Sequence, residues 1–137
     1  IGALIEHSTS GKIILLHRSP SIDFADNQWD DVGGRMRQFE TPEETLQREV
    51  KEETGLSNVR ILKPLDVSHY FRGDKIADNE MIVITYWCET SCNKIILSPE
   101  HDDYRWVSPE EALLLVKDPP LKRNIQRFIK EKSKIDL

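Results

Sequence analysis

The sequence predicts a single α/β domain with a mixed β-sheet. Its 137 residues suffice for one hydrophobic core of ordinary size and are too few for two domains. Short runs rich in β-branched and aromatic residues are interleaved with three segments that carry helix-start signals, without an internal repeat or a low-complexity segment. Hydrophobic residues make up 38% and charged residues 31% of the chain, which is typical of a folded soluble domain and unlike a disordered or fibrous one.

The first elements are two predicted strands. Residues 3–5 and 13–16 are apolar, and the Ser-Thr-Ser-Gly sequence between them predicts a hairpin. Residues 19–27 are polar and contain a proline, so we expect a loop. A short segment then begins at Trp29 and ends at the glycine pair Gly33-Gly34.

A helix with clear signals at both ends follows. Thr41 is a good N-cap, Pro42 suits the first helical position, and Glu44 completes a capping box. Gly55 is the expected end, because a helix commonly closes on a residue in the left-handed conformation.

The second half of the chain predicts strands and then helices. Strands are expected at residues 58–67, 68–72, 81–89 and 104–107, with a turn at residues 73–79. One helix opens at Ser108 and runs to about Val116, and another opens at Asp118. In the last helix one stripe is apolar, formed by Leu121, Ile125, Phe128 and Ile129.

Composition excludes several classes of protein. No apolar run approaches the roughly 18–20 residues that span a bilayer, and the first residues lack the basic region of a signal peptide, so no membrane association is expected. A net charge of -5 argues against stable nucleic-acid binding and a general RNA-binding role. Cys88 and Cys92 have no second pair for a zinc site, and we expect reduced thiols in a cytoplasmic protein.

Three carboxylates share one face of the central helix. Glu49, Glu52 and Glu53 are spaced i, i+3 and i+4, and like charges at this spacing cost a helix about 0.2–0.5 kcal/mol per pair. A bound cation would relieve this repulsion. A solvated acidic face balanced by Arg48 and Lys51 is the alternative interpretation of the same spacing.

The complete pattern around these glutamates favours a functional site. Seven specified identities at about one in fifteen each arise by chance on the order of once in 10^8 windows. The seven residues are Gly34, Glu40, Arg48, Glu49, Glu52, Glu53 and Gly55, and Val50 and Leu56 occupy two further apolar positions. At all of these positions the chain resembles the Nudix hydrolase family, and the resemblance implies a Nudix-type α/β/α sandwich formed by one domain over residues 1–137.

The resemblance implies a metal-dependent hydrolase that cleaves a pyrophosphate bond in a nucleoside diphosphate linked to another group. A polyanionic substrate would be repelled by the glutamates, so Mg²⁺ or Mn²⁺ must lie between carboxylates and phosphate. The family pattern makes Glu49 and Glu53 metal ligands, Glu52 a ligand directly or through water, and the Gly33 carbonyl a further ligand.

Other signature residues have structural roles by the same resemblance. Arg48 is expected to hold the preceding loop through Glu40, and Gly34 and Gly55 to serve backbone geometry. Catalytic work is expected of Glu52, Glu53 and a glutamate outside the signature.

That further glutamate is Glu100. It lies in a Ser-Pro-Glu-His segment, followed by Tyr-Arg-Trp-Val from Tyr104, which is similar to the downstream segment of small Nudix enzymes, including diadenosine tetraphosphate hydrolases. The similarity implies that Glu100 is a metal ligand or the general base, whereas a merely solvated loop residue is the alternative. Glu52 and Glu100 both remain candidates for the base.

The substrate-binding residues are less strongly indicated. Arg18, Arg35, Arg37 and Arg72 are candidate phosphate contacts, each with an ordinary surface role as the alternative. Tyr70 either stacks on a nucleobase or packs on the core.

The expected substrate is a nucleotide. Dinucleoside polyphosphates are favoured narrowly over modified nucleoside triphosphates, with nucleotide sugars third. A non-catalytic nucleotide sensor on the same fold is the alternative function, disfavoured because every signature carboxylate is present. Homodimers are common in the family, so a second copy of the chain is a candidate partner.

Overall fold

The computed structural model describes residues 1–20 and 27–135, which form a mixed β-sheet with helices on both faces. The strands are β1 Gly2–His7, β2 Ile13–Arg18, β3 Trp29–Asp30, β4 Val32–Gly33, β5 Arg60–Phe71, β6 Glu80–Thr90 and β7 His101–Val107. The helices are α1 Pro42–Thr54, α2 Pro109–Leu115 and α3 Pro119–Ile135, and a 3₁₀ turn spans Ala77–Asn79. The predicted α/β class is confirmed.

Strand pairing makes the sheet mixed, as predicted. The order is β3-β2-β1-β6-β5, with β4 also paired to β1 and β7 to β2. β1 and β6 run parallel, whereas the other pairs are antiparallel. β1 therefore lies in the middle of the sheet, and β4 joins it at the end where Gly2 faces Gly33.

Alternation along β1 and β2 places a hydrophobic core on each face of the sheet. Ala3 and Ile5 pack under α1, whereas Leu4 packs under α2 and α3. In β2 the run Ile-Ile-Leu-Leu divides in the same way between the two cores. Strands buried on both faces read as continuous apolar runs, which is why neither strand shows polar alternation.

One acidic side chain is buried in the core on the α3 side. Glu6 of β1 is 1% exposed. Its Oε1 accepts a hydrogen bond of 3.2 Å from Trp87 Nε1, and its Oε2 lies 3.0 Å from Lys132 Nζ of α3. The ion pair and the indole N–H compensate for the loss of hydration that burial of a carboxylate entails.

Most helix boundaries agree with the sequence prediction. Thr41 caps α1, and both hydrogen bonds of the capping box with Glu44 are present. Gly55 closes the helix at φ 75°, in the left-handed region. Ser108 caps α2, and the Asp118 carboxylate accepts a hydrogen bond from the Leu121 N–H at the start of α3.

The strand prediction needs two corrections. Residues 58–67 and 68–72 form not two strands but one, β5. Its pairing with β6 shifts register around Leu62 and Leu65 but continues without a break to Phe71. β5 ends the strand order, and an edge strand tolerates a proline. The strand expected at residues 104–107 starts earlier, at His101.

Two further observations concern the remaining expectations. Within the predicted loop at residues 19–27, residues 21–26 lie outside the described part of the chain. None of the helices in the described residues is long and apolar enough to cross a membrane.

Candidate active site

A cleft of about 850 Å³ lies where α1, the ends of β2 and β5, and the start of α3 meet. It falls within the range of volumes that small-molecule sites occupy. Nine residues predicted from the sequence to serve the site line it together: Arg18, Gly33, Gly34, Arg35, Glu49, Glu53, Tyr70, Arg72 and Glu100.

Glu53 is the buried carboxylate of this cleft. Its side chain is 7% exposed, and its Oε1 accepts a hydrogen bond of 2.8 Å from the Gly33 N–H. Burial, with smaller contributions from the negative charges of Glu49, Asp30 and Glu100, raises the pKa of Glu53 to about 8 against the lowering effect of the Gly33 hydrogen bond. A carboxylate in this environment is stabilised in its charged form by a nearby cation.

Glu49 lies against the backbone of Gly34. A Cβ atom added to Gly34 would lie 2.2 Å from Cδ of Glu49, so only glycine leaves room for the carboxylate where it stands. Arg48 Nη1 donates a 2.6 Å hydrogen bond to Glu49 Oε1. Glu49 is therefore held from two sides.

Arg48 also ties the loop of residues 35–40 to α1. Its Nε and Nη2 donate to the two carboxylate oxygens of Glu40 at 2.7 and 2.8 Å, and Nη2 reaches the Arg35 carbonyl at 2.9 Å. Glu40 in turn accepts a 2.8 Å hydrogen bond from the Arg37 N–H. The hydrogen bonds from Arg48 are the main reason that the pKa of Glu40 is lowered to about 2.

The loop held by Arg48 contains a strained residue. Phe39 adopts φ 70°, and its side chain is 95% exposed. The left-handed conformation costs an L-residue roughly 1–2 kcal/mol, and an exposed ring gains no packing in return. The network around Glu40 keeps the backbone in this conformation.

We expect Phe39→Gly to raise the free energy of unfolding by up to about 1 kcal/mol, since glycine adopts positive φ without the steric cost but loses more backbone entropy on folding. Urea denaturation measures the change. Met36→Gly is the matched control, because Met36 lies in the same loop, is 46% exposed and has no positive φ. The Met36→Gly variant should lose about 0.5–1 kcal/mol of its free energy of unfolding. Equal destabilisation by both substitutions would contradict the assignment of strain to Phe39.

Five residues of the predicted site lie outside the cleft lining: Arg37, Glu40, Arg48, Glu52 and Gly55. The Glu52 side chain is 50% exposed, with its Oε2 3.5 Å from Arg48 Nη1 and its Oε1 3.8 Å from Arg37 Nη2. Three glutamates share one face of the helix, but only Glu49 and Glu53 face the cleft.

Glu100 is brought to the cleft by the end of β2. The Ser19 N–H donates to the Glu100 carbonyl at 2.9 Å, and the Ser19 hydroxyl donates to the Pro99 carbonyl at 3.1 Å. The neighbouring His101 is buried, and its Nδ1 lies 3.8 Å from Glu53 Oε2. Burial lowers the pKa of His101, which favours the neutral ring beside Glu53.

The donor chemistry of the cleft fits a hard divalent cation. Glu49, Glu53 and Glu100 supply carboxylate oxygens, the ligands that Mg²⁺ prefers, and the charges of Glu49 and Glu100 add to the effect of burial in raising the pKa of Glu53. Within residues 1–20 and 27–135, no three acidic, histidine or cysteine side chains converge closely enough to enclose an ion by themselves. Where a protein binds Mg²⁺, waters and substrate phosphates commonly complete the coordination.

The cleft also contains polar residues that the sequence analysis did not assign to it. Asp30, Asp31, Lys117, Asp118 and Asn124 all contribute to its lining. The adjacent acidic pair just before Val32 and the Gly33-Gly34 pair was the available signal for the first two, and the capping position was the signal for Asp118. Asn124 lies three positions after Leu121 and four before Phe128, so its place on the apolar stripe of the last helix was the available signal for its burial.

Comparison with known proteins decides the family. The NUDIX domain model matches residues 1–130. The chain belongs to the Nudix family. This confirms the resemblance seen in the signature, and the described cleft is thus the signature-bearing cleft of a Nudix domain.

Individual Nudix relatives agree with this assignment. A nucleoside triphosphatase NudI from Escherichia coli O17:K52:H18 is 32% identical over 92 residues, covering 63% of this chain and 65% of that protein. The match thus spans slightly less than two thirds of the relative's length.

Solved Nudix structures share the fold. A MutT protein from Methanosarcina mazei Go1 is 28% identical, with a TM-score of 0.79 over 96% of this chain and 91% of that one. An Ap4A hydrolase from C. elegans superposes with a TM-score of 0.80 at 18% identity, over 97% of this chain and 96% of that one. The likeness at 18% identity concerns the fold alone.

Proposed function

We propose that this chain hydrolyses a pyrophosphate bond of a nucleoside triphosphate and requires Mg²⁺ or Mn²⁺. One observation carries the proposal: three acidic and three basic residues of the predicted site line one cleft, namely Glu49, Glu53, Glu100, Arg18, Arg35 and Arg72. The sequence narrowly favoured a dinucleoside polyphosphate, but the name of the NudI relative supports a nucleoside triphosphate.

The glutamates facing the cleft would hold the metal. Glu49 and Glu53 are the proposed ligands, with the Gly33 carbonyl completing the protein's share. When bound, Mg²⁺ or Mn²⁺ supplies charge neutralisation at the phosphate and lowers the pKa of the attacking water. Because Glu52 lies outside the cleft lining, we assign it no direct metal contact, and it would reach the metal only through water.

The chain orients these carboxylates before any ligand arrives. The Gly33 N–H holds one oxygen of Glu53, and the Arg48 guanidinium holds one oxygen of Glu49. Mg²⁺ demands near-ideal octahedral geometry, so ligands that are fixed in advance improve affinity. The capping box of α1 and the ion pair with Glu40 fix the helix that carries both glutamates.

Glu100 is the proposed general base. A base must come within hydrogen-bond reach of the attacking water, and Glu100 is an exposed residue of the cleft lining. The competing candidate, Glu52, points toward Arg37 and Arg48 instead. Ser19 fixes the backbone on which Glu100 stands.

The cations of the cleft would bind the phosphates. Arg18, Arg35 and Arg72 contribute to its lining, and Arg18 Nη1 lies 3.7 Å from Asp30 Oδ2. Guanidinium groups match phosphate oxygens in a bidentate manner. The Arg37 side chain is 68% exposed and lies outside the lining, so we assign it no direct phosphate contact.

A substrate panel in ¹⁸O-labelled water tests the proposal. Nucleoside triphosphates, a dinucleoside tetraphosphate and a nucleotide sugar are incubated with Mg²⁺, with Mn²⁺ or with EDTA, and products are identified by mass spectrometry. We expect metal-dependent turnover of triphosphates, with the label reporting which phosphorus is attacked. The proposal fails if no member is turned over with either metal. Tight binding without product would support the sensor alternative.

Two accompanying proposals concern the setting of the enzyme. Cys88 is buried and Cys92 is exposed, and both are free, in keeping with a reducing compartment. We therefore propose that the enzyme acts in the cytoplasm. A homodimer remains a proposal from the family resemblance.

A further inference from the structure

His101, the first residue of β7, is a buried side chain whose ring nitrogens lack partners. The residue is 4% exposed, and neither Nδ1 nor Nε2 has a hydrogen-bond partner among the described residues. A buried polar group without a partner costs free energy, and folded proteins keep very few of them, so this imidazole is a candidate for a functional role. It belongs neither to the Nudix signature nor to the proposed metal ligands.

Glu53 is the group that His101 faces. Its Oε1 accepts the 2.8 Å hydrogen bond from the Gly33 N–H, and its Oε2 lies 3.8 Å from His101 Nδ1. An N–H···O hydrogen bond spans about 2.7–3.2 Å, so a shift of roughly 1 Å or less would complete one here. Active-site hydrogen bonds are often long before a ligand binds and tighten afterwards. Gly33 therefore holds one oxygen of the carboxylate, and His101 is placed to hold the other.

A β-bulge in β7 directs His101 toward Glu53. The pairing of β7 with β2 shifts register at the end of β2, which leaves Asp102 as an extra residue of β7. In a regular strand His101 would share a face with Val107, which packs in the core under α2 and α3. The bulge instead brings the imidazole to the α1 side of the sheet, where Glu53 lies. Bulges beside active sites commonly redirect a side chain in this way.

The imidazole of His101 is suited to donate one hydrogen bond. Burial is the main reason that the pKa of His101 is lowered, and the charge of Arg18 lowers it further, so the ring is neutral. A neutral imidazole carries one N–H and one nitrogen without a proton, whereas a charged carboxylate only accepts hydrogen bonds. Nδ1 must therefore carry the proton when it contacts a charged Glu53.

We propose that His101 is a positioning residue of the metal site, whose Nδ1–H holds Oε2 of Glu53 while the Gly33 N–H holds Oε1. The inference rests on the proposed function for the presence of the metal. One donor on each oxygen fixes the plane of the carboxylate and leaves its other lone pairs free for a cation. Loss of a group that orients a metal ligand in this way typically costs about 10–100-fold in metal affinity or activity.

Two substitutions of opposite character test this role. His101→Phe keeps an aromatic ring and removes the N–H, so we expect Mn²⁺ to bind about 10–100-fold more weakly, measured by electron paramagnetic resonance without nucleotide. His101→Asn keeps an amide N–H near the position of Nδ1 and should stay within about threefold of the wild type. If His101 only filled space, asparagine would leave a cavity and phenylalanine would not. Affinities in that reverse order would overturn the proposal.

His7→Phe is the matched control. His7 is also a buried histidine with an unpartnered Nε2 among the described residues, but it ends β1 and lies outside the cleft lining. Its substitution should leave the Mn²⁺ affinity unchanged, and an equal loss in both variants would overturn the proposal. If circular dichroism shows that His101→Phe does not fold, His101→Leu removes the same N–H with a smaller side chain and takes its place.

The position of the imidazole proton provides a second test. In protein labelled with ¹⁵N at histidine, the ring nitrogen shifts report which nitrogen carries the proton, and His101→Asn identifies the signals of His101 by their loss. We expect Nδ1 to be protonated in the protein with Mg²⁺. A proton on Nε2 alone would overturn the proposal, because Nδ1 would then present a lone pair to Glu53.

Metal binding without turnover separates this inference from the proposed function. Weaker Mn²⁺ binding by His101→Phe, together with near wild-type binding by His101→Asn, would support the positioning role even if the substrate panel showed no hydrolysis. Hydrolysis and Mn²⁺ binding that are both unchanged in His101→Phe would overturn the positioning role and leave the proposed function intact. A wild-type chain that binds neither Mn²⁺ nor Mg²⁺ would overturn both.

Discussion

Glu53→Gln is expected to reduce hydrolysis by about two to three orders of magnitude while making the metal-free protein more stable at pH 8. Glutamine keeps the acceptor for the Gly33 N–H but supplies no charge to a cation, and electrostatic stabilisation of the transition state is commonly worth this much. Steady-state rates with Mg²⁺ measure the first effect. Glu43→Gln is the control, because it removes an exposed carboxylate from the same helix.

The stability change follows from the raised pKa of Glu53. The folded pKa is about 8 and the ordinary value is 4.5, so between these values the folded chain keeps a proton that the unfolded chain has lost. Wild-type stability in EDTA therefore falls as pH rises from about 5 to 8, at up to roughly 1.4 kcal/mol per pH unit. The variant lacks this loss, so the two melting curves should agree near pH 5 and separate by pH 8. Parallel pH profiles would contradict the raised pKa of Glu53.

Gly34→Ala is expected to lower kcat/KM about 100-fold with little change in stability. The new methyl group would occupy the place of the Glu49 carboxylate, and misplacement of a site group by about 1 Å can cost this factor. The clash involves the end of a side chain that can rotate away, so the fold is preserved. Denaturation midpoints and kcat/KM values provide the two measurements.

The neighbouring glycine offers a matched contrast. A Cβ atom on Gly33 would lie 2.3 Å from the Ile1 carbonyl oxygen, which is backbone and has no comparable freedom. Gly33→Ala should therefore destabilise the protein by about 1–3 kcal/mol, through disruption where β4 pairs with β1. If Gly34→Ala were the more destabilising of the two, the close approach of Glu49 would not be the reason for glycine at that position.

The parts of the fold predicted most accurately from sequence are those set by local chemistry. The ends of α1 depend on Thr41, Glu44 and Gly55, which act within one helical turn, and the structure places them as expected. β5 was predicted as two strands, divided between Val67 and Ser68, because the local residue pattern does not show that one strand continues through this point. Pairing with β6 overrides that pattern, and pairing is visible only in the tertiary structure.

For the candidate site, too, the sequence predicted what local spacing determines and not what tertiary packing determines. The spacing of the signature indicated which glutamates share a helix face, but the rotation of α1 against the sheet decides that Glu49 and Glu53 face the cleft and Glu52 does not. Asp31 and Asn124 are 93 positions apart in the sequence, and the strand order brings them into one cleft. No local pattern could have joined them.

The buried Glu6 has a consequence for misfolding. If β1 slipped by one residue against its neighbours, every side chain would change face, and the carboxylate would enter the apolar cluster under α1, away from Trp87 and Lys132. Apolar residues on both faces of β1 impose little penalty on such a slip. A carboxylate buried without its partners imposes a large penalty. Glu6 thus discriminates against the shifted alignment, and only the correct alignment sets Gly2 opposite Gly33, where the cleft is built.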